Sequence, residues 1–452
     1  MSRLFGTDGV RGVANDTLSV SLAMKIGVAG AYVLTSKVHN PVILVAADTR
    51  KSGDMLSFAL AAGICAIGGD VKLLGVLPTP SLPYLTRLYG ADAAVMISAS
   101  HNSMEYNGIK WFDKNGFKLS DDIEDKIEEK IADFDNISFP IGEHVGNIIN
   151  VKRARDDYMA FLMSCSEYEL KGIKIALDCA NGAASGIAPL IFSNLGATVF
   201  SSANEPDGCN INRNCGSTHL SHISEFVVES GADVGFAYDG DADRVLAVDE
   251  RGNIVDGDKL MGICAKKLNE NGKLKDSTLV ATVMSNIGLT HSMKEAGINI
   301  VATKVGDRYV LERMRENGYA LGGEQSGHII FYDKNTSGDG ILTSIMIMNI
   351  LRKTNLPLSV LADEIRIFPQ ILVNVELTNE NLNVAMEDVK LCEYIGKIQS
   401  ELGDDGRVLV RSSGTEPLIR IMIEGIDTDD IREKALSIAD ILIDNYDGVL
   451  RK

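Results

Sequence analysis

The chain repeats one pattern three times over its first three-quarters, and that recurrence constrains the fold more than any single helix or strand does. Each unit opens on an apolar run that breaks into a turn, at 42–48, 173–178 and 279–283. A helix-like stretch follows, then a glycine leading into a second apolar run, at 69–74, 196–200 and 297–301. A third run then ends in a polar loop: 91–95 leads to Ser100, 232–237 to Asp239, and 318–321 to Gly322-Gly323-Glu324. Near-continuous apolar strands alternating with helices predict mostly parallel α/β layers. Such sheets bind ligands beyond the carboxyl ends of their strands, where all three polar loops stand. From residue 368 the texture changes. Segments 371–377 and 408–411 alternate like half-exposed strands, and 431–446 reads as an amphipathic helix. The expected fold is α/β: three similar mixed α/β domains plus a smaller α+β C-terminal domain around a central cleft. The domains are expected over 1–152, 153–255, 256–367 and 368–452.

A length of 452 residues is too great for one core, in keeping with that division. The formal charge of −18 argues against nucleic acid and against an anionic membrane surface as main partners. A small anionic ligand is compatible with it, because salt screens beyond about 8 Å and a pocket can be locally basic. No run of eighteen apolar residues suggests a membrane span, and the opening Met1 to Asp8 lacks the features of a signal peptide. The seven cysteines include no Cys-x-x-Cys pair; an odd, scattered set fits reduced thiols in a cytoplasmic protein.

The chemistry is carried by four loops. In Ile97-Ser98-Ala99-Ser100-His101-Asn102, an apolar run gives way to small polar residues, leaving Ser100 exposed beside His101. Most such tripeptides are loop residues that bond their own backbone. A serine hydroxyl becomes a nucleophile only if it is activated or loaded with a transferable group. Asp239-Gly240-Asp241-Ala242-Asp243-Arg244 sets three carboxylates on alternate residues, a spacing that can point all three at one hard cation. The rival calcium-hand reading fails at Arg244, where that loop needs glycine, and the segment follows a strand. Gly322 to His328 supplies a carboxylate, a hydroxyl and an imidazole between glycines, a set able to bond sugar hydroxyls. Arg411 to Arg420 has the composition of a phosphate cradle: guanidinium forks, the hydroxyls of Ser413 and Thr415, and Gly414 to admit backbone amides.

With these four motifs in this order, and with the opening Leu4-Phe5-Gly6-Thr7-Asp8-Gly9-Val10-Arg11-Gly12, the chain resembles the α-D-phosphohexomutase superfamily over nearly its whole length, and within it the amino-sugar branch. The resemblance implies that Ser100 carries a phosphoryl group. It implies that Asp239, Asp241 and Asp243 hold one Mg2+ together with a phosphoserine oxygen, and that Arg244 steadies that phosphate. Glu324 and Ser326 would read sugar hydroxyls. Arg411, Ser413, Gly414, Thr415 and Arg420 would bind the phosphate that is not reacting. Lys110, Arg11 and His328, with His101 beside the serine, are similar to residues that give acid–base or electrostatic help. The implied activity is an isomerase moving phosphate between the 6- and 1-oxygens of an amino sugar. Glucosamine 1,6-bisphosphate or a similar hexose bisphosphate is then intermediate and activator. Glu324 or Gln325 would favour the 2-amine. The alternatives are a glucose- or mannose-phosphate mutase on the same scaffold, or a non-catalytic sugar-phosphate sensor. The resemblance also leads to the expectation of a homodimer. Two departures stand out. Ala242 replaces the family's usual glycine, which requires backbone angles an alanine can adopt, and Ser103 replaces a frequent proline, which is expected to loosen the nucleophile loop.

Overall fold

The computed structural model describes residues 3–6, 8–35, 40–413 and 417–451. They form two compact units, Met1–Met284 with Ala296–Glu364, and Ser285–Glu295 with Ile365–Lys452.

The first unit holds three sheets. Strands β1 (Val10–Val13), β2 (Val42–Ala47), β3 (Asp70–Val76), β4 (Ala93–Ile97), β5 (Tyr106–Asp113) and β6 (Ile148–Asn150) form one, in the order β1-β5-β4-β2-β3-β6. Strands β7 (Lys174–Asp178), β8 (Thr198–Ser202), β9 (Val234–Tyr238), β10 (Val245–Asp249) and β11 (Ile254–Val255) form the second, β11-β10-β9-β7-β8. Strands β12 (Thr278–Thr282), β13 (Asn299–Thr303), β14 (Leu321–Gly323) and β15 (Ile329–Phe331) form the third, β13-β12-β14-β15.

The sequence repeat is therefore a repeat of topology. In each sheet the opening strand, β2, β7 or β12, lies between two parallel neighbours. The second of these neighbours, β4, β9 or β14, then pairs with an antiparallel strand, β5, β10 or β15. The loop joining these last two strands is the Ser100 loop in the first sheet, the Asp239 loop in the second and the Glu324 loop in the third. The sheets are mixed because each functional loop turns the chain straight back instead of into a crossover helix. Burial explains the sequence texture: every residue of β4, β9, β10, β12 and β15 is buried, so these strands read as unbroken apolar runs.

Helices Val20–Thr35 and Gly53–Ala66 cover the first sheet and meet through glycines. A Cβ on Gly27 would fall 2.3 Å from the Leu60 carbonyl oxygen, and one on Gly63 would fall 2.2 Å from that of Met24. No helix among the described residues is long and apolar enough to cross a membrane.

The second unit is a four-stranded antiparallel sheet of β16 (Gln370–Glu376), β17 (Arg407–Ser412), β18 (Leu418–Glu424) and β19 (Val449–Arg451), ordered β17-β18-β16-β19. Helix Thr428–Tyr446 packs Ile431, Ala435, Ile438 and Leu442 into its core, and Asp427 caps the helix by accepting from the amides of Asp429 and Asp430. Residues 285–295, sequence-adjacent to β12, also belong to this unit. Asn286 donates to the Phe368 carbonyl at 2.9 Å, and the amide of Ile287 donates to buried Glu424 at 3.2 Å.

Candidate active site

Beyond β4 the chain turns through Ser100 with φ of 52°, the left-handed region that L-residues avoid. The Ser100 amide donates to Ser98 Oγ at 2.9 Å, and Ser98 Oγ donates to Asp48 Oδ2 at 2.7 Å. Ser100 is not exposed, as the sequence suggested, but buried, because the Asp239 loop closes over it: Ser100 Oγ donates to Asp239 Oδ2 at 2.6 Å. His101 stays at the surface, with Nδ1 3.5 Å from Ser100 Oγ. Desolvation by its surroundings, then the guanidiniums of Arg244 and Arg11, lower its pKa. The Ser103 carbonyl accepts from Arg50.

Asp239, Asp241 and Asp243 are all buried, and one oxygen from each lies within 4.8 Å of the others. The turn that aligns them runs through Ala242 at φ of 55°, so the alanine occupies a conformation better suited to the glycine it replaces. Burial, then repulsion from Asp243 and Asp241, pushes the Asp239 carboxyl well above the usual range. Burial opposes ionisation of Asp241 too, but Lys110 and Thr79 hold it low, with Thr79 Oγ1 donating at 2.6 Å. Asp243 is likewise held low against burial by His328 and Lys110. Oδ1 of Asp241 and Oδ1 of Asp243 have no hydrogen-bond partner. Three crowded carboxylates with unused oxygens fit a hard divalent cation, which supplies the missing positive charge and takes oxygen ligands.

Around this cluster runs a chain of ion pairs. Lys110 on β5 is buried and bonds Asp241 Oδ2 and Asp8 Oδ2, both at 2.9 Å. Burial opposes its charge, yet those two carboxylates hold it protonated. Arg11 on β1 reaches Asp8 Oδ2 at 2.8 Å. Lys118, which sequence reasoning passed over, sits 2.5 Å from Asp8 Oδ1 and 2.5 Å from Asp307 Oδ2. His328 is buried with Nδ1 3.4 Å from Asp243 Oδ2, and the Gly338 amide donates to its Nε2 at 3.0 Å. Its Nε2 also lies 3.4 Å from Asp307 Oδ2; burial opposes its charge, but Asp243 and Asp307 raise its pKa.

These groups border a cleft of about 420 Å³ lined by Asp8, Arg11, Lys118, Arg244, Asp307 and Glu324, among others. Arg244 faces Asp243, Asp239 and Glu324, which keep it charged despite burial, and its Nε has no hydrogen-bond partner. Glu324 Oε1 accepts from the Gly306 amide at 3.1 Å, and Ser326 Oγ is buried without a partner. Gln325 does not line this cleft; its side-chain amide donates to Asp256 at 3.3 Å.

In the second unit, Arg411 on β17 stands directly across from Arg420 on β18. Partial burial, then Arg420, depresses the Arg411 pKa, and Arg420 Nε is buried without a hydrogen-bond partner. Like charges directly opposite destabilise a sheet, so this pair suits an anion. The Ser413 amide closes the hairpin on the Leu418 carbonyl at 2.9 Å, while Gly414 and Thr415 lie outside the described residues.

The chain is similar to known proteins over nearly its whole length. The sequence model of phosphoglucomutase/phosphomannomutase matches in four parts: α/β/α domain I at residues 2–137, domain II at 156–252, domain III at 256–368 and the C-terminal domain at 372–441. The chain is 55% identical to a phosphoglucosamine mutase of Acetivibrio thermocellus, covering 98% of this chain and 99% of that one. It is 53% identical to a phosphoglucosamine mutase of Clostridium perfringens at the same coverage. Among solved structures, a phosphoglucomutase/phosphomannomutase family protein of Burkholderia thailandensis superposes with a TM-score of 0.83 at 25% identity, over 100% of this chain and 99% of that one. The N-acetylphosphoglucosamine mutase of Aspergillus fumigatus, solved with GlcNAc-6P and magnesium, shares the fold with a TM-score of 0.69 at 16% identity, over 97% and 95% of the two chains. The chain belongs to the phosphoglucosamine mutases of the phosphoglucomutase/phosphomannomutase family, the α-D-phosphohexomutases.

Proposed function

We propose that the chain interconverts glucosamine 6-phosphate and glucosamine 1-phosphate through a phosphorylated Ser100 and a 1,6-bisphosphate intermediate, feeding amino-sugar nucleotide and cell-wall precursor synthesis. The observation that carries the reading is the direct bond from Ser100 Oγ to Asp239, within a buried cluster of three carboxylates. Phosphoserine 100 gives its phosphoryl group to the free 1- or 6-hydroxyl: the phosphorus–Oγ bond breaks, a bond to the sugar oxygen forms, and the hydroxyl proton leaves. The bisphosphate turns over in the cleft and returns its other phosphate to Ser100, so enzyme and net composition are unchanged.

Phosphoryl transfer asks a protein mainly for positioning and charge. Asp239, Asp241 and Asp243 would hold Mg2+, which when bound supplies positive charge beside the transferred group. Arg244, with Lys110 and Arg11, adds fixed positive charge. Pairing with Asp8 and Asp241 makes Lys110 an electrostatic group rather than a proton carrier, and Arg11 also pairs with Asp8. His101, beside Ser100 Oγ, takes and returns the proton, and His328 holds Asp243 in place. Arg411 and Arg420, with Ser413, Gly414 and Thr415, bind the phosphate that is not being transferred.

Glu324 and Ser326 bind the sugar. Asp8 and Asp307 both pair with Lys118, whereas Glu324 has no cation within 4 Å among the described residues and meets Arg244 only at longer range. It is the carboxylate left to receive a partly cationic 2-amine. Glucosamine 1,6-bisphosphate, or a similar hexose bisphosphate, would restore phosphate to Ser100. We assign the enzyme to the cytoplasm and, following the family, to a homodimer. Initial rates with glucosamine, glucose and mannose 6-phosphates under one set of conditions test the reading. The glucosamine compound should give the highest kcat/KM; a higher value for either other sugar overturns the amino-sugar assignment.

A further inference from the structure

The side chain of Arg50 is buried, and its guanidinium is spent on the backbone of the Ser100 loop. Its Nη2 donates to the carbonyls of Ser100 at 2.9 Å and Asn102 at 2.8 Å. Its Nη1 donates to the carbonyl of Tyr106 at 3.0 Å and to that of Ser103. Nε donates to Asp48 Oδ2 at 2.9 Å, in an ion pair whose two side chains are 0% exposed. From the other side, Asn212 Nδ2 donates to the same carbonyls of Ser100 and Asn102, at 2.8 and 2.9 Å.

The ion pair also reaches the opposite end of the same residue. Asp48 Oδ2 accepts from Ser98 Oγ, which in turn accepts the Ser100 amide. Thus the peptide group before Ser100 is pinned through Asp48, and the one after it by Arg50. Fixing both peptide planes fixes the backbone angles between them, and here they are the unfavourable left-handed ones. A non-glycine residue stands there only when its neighbours hold it. Gly240 closes the third side, since a Cβ on it would lie 2.5 Å from the Ser100 carbonyl oxygen.

We propose that Arg50 is a positioning residue for phosphoryl transfer: its planar set of donors, braced by Asp48, imposes the backbone conformation that aims Ser100 Oγ at Asp239. Lysine cannot replace it, because three donors on one nitrogen cannot match a forked array of carbonyls. The inference rests on Ser100 being the phosphoryl carrier and adds the device that sets its aim.

The test compares wild type, Arg50→Lys and Asn212→Ala. The rate at which Ser100 takes up phosphate from glucose 1,6-bisphosphate is measured by rapid quenching and peptide mass spectrometry. Rates are normalised to the folded fraction, and kcat and KM are measured alongside. A misaimed nucleophile loses rate without losing substrate affinity. Arg50→Lys should therefore label and turn over about 100-fold more slowly, with KM within about threefold of wild type. Asn212→Ala should change in the same direction by less. Should Arg50→Lys not fold, Asn212→Ala decides by the same criteria. Folded variants that label within about twofold of wild type, or a loss that merely tracks the unfolded fraction, overturn the proposal. A wild type that never labels at Ser100 overturns the phosphoserine reading, and this inference with it.

Discussion

The hydroxyl of Ser100 donates to Oδ2 of Asp239 at 2.6 Å, joining loops 139 positions apart in the chain. The atom proposed to carry phosphate thus touches the cluster proposed to carry charge. Ser100→Ala should reduce turnover to background while leaving the fold intact. Peptide mass spectrometry on fresh wild-type protein should find phosphate on Ser100 and none on Ser98, whose hydroxyl is occupied between Asp48 and the Ser100 amide. Full turnover by Ser100→Ala would mean that another group carries the phosphate.

Crowding in the acidic cluster makes an opposed pair of effects expected at Asp239. Its carboxyl is raised by burial and by its two neighbours, so its share of stability is present below the unfolded pKa and lost as pH climbs through the folded one. Ionising it within the fold is a cost. Asp239→Asn should therefore melt higher than wild type in chelator. Magnesium at about a hundred times its Kd should stabilise the wild type by about 2.7 kcal/mol, and the variant should lose that gain along with activity. A full magnesium-induced shift in Asp239→Asn would remove the cluster from consideration as the metal site.

Arg420→Ala should weaken sugar-phosphate binding by about 1.5–3 kcal/mol, the worth of charge-assisted hydrogen bonds. It should still carry phosphate on Ser100. Because Arg411 faces Arg420 across the strand pair, removing one charge also relieves repulsion, and the electrostatic part of stability should not suffer. Calorimetric titration with glucosamine 6-phosphate separates these effects; unchanged affinity would reduce the arginine pair to a structural oddity.

A second buried carboxyl, outside the carboxylate triplet, gives a further pH dependence. Asp339 caps helix Gly340–Thr354 and accepts from Tyr158 at 2.7 Å, and burial raises its pKa from 3.8 to about 6. A carboxyl raised on folding adds stability below its unfolded pKa and gives it up as pH rises through the folded value. Between pH 4 and pH 7 the loss should come to about 2–3 kcal/mol. Asp339→Asn, which keeps an oxygen for the cap, should flatten that slope in melts across the range. An unaltered slope would assign it to other groups.

The repeat was legible because strands buried on both faces leave apolar runs at fixed intervals, and each functional loop follows such a run. The carboxylate triplet was legible because its spacing is itself the chemistry. What escaped the sequence depends on partners far away in the chain. Asp48 and Arg50 resemble any pair at a strand end until the carbonyls of residues 100 to 106 fold onto the guanidinium. Lys118 shows its role only when Asp8 and Asp307 arrive from either side. The exposure expected for Ser100 failed for the same reason, since Asp239 covers it. Gln325 failed differently: nothing in a Gly-Glu-Gln-Ser-Gly run tells which side chain turns toward Asp256.

Three sheets present their working loops at one equivalent hairpin, between a parallel strand and its antiparallel successor. The loops proposed for transfer, charge and sugar reading therefore start from separate sheets that share a plan but no strand. The loop between β14 and β15 is not independent of the carboxylates, because it brings Glu324 to the cleft and also sets His328 against Asp243. A substitution in that loop therefore acts on the carboxylate cluster as well as on the cleft it lines, through the His328 contact.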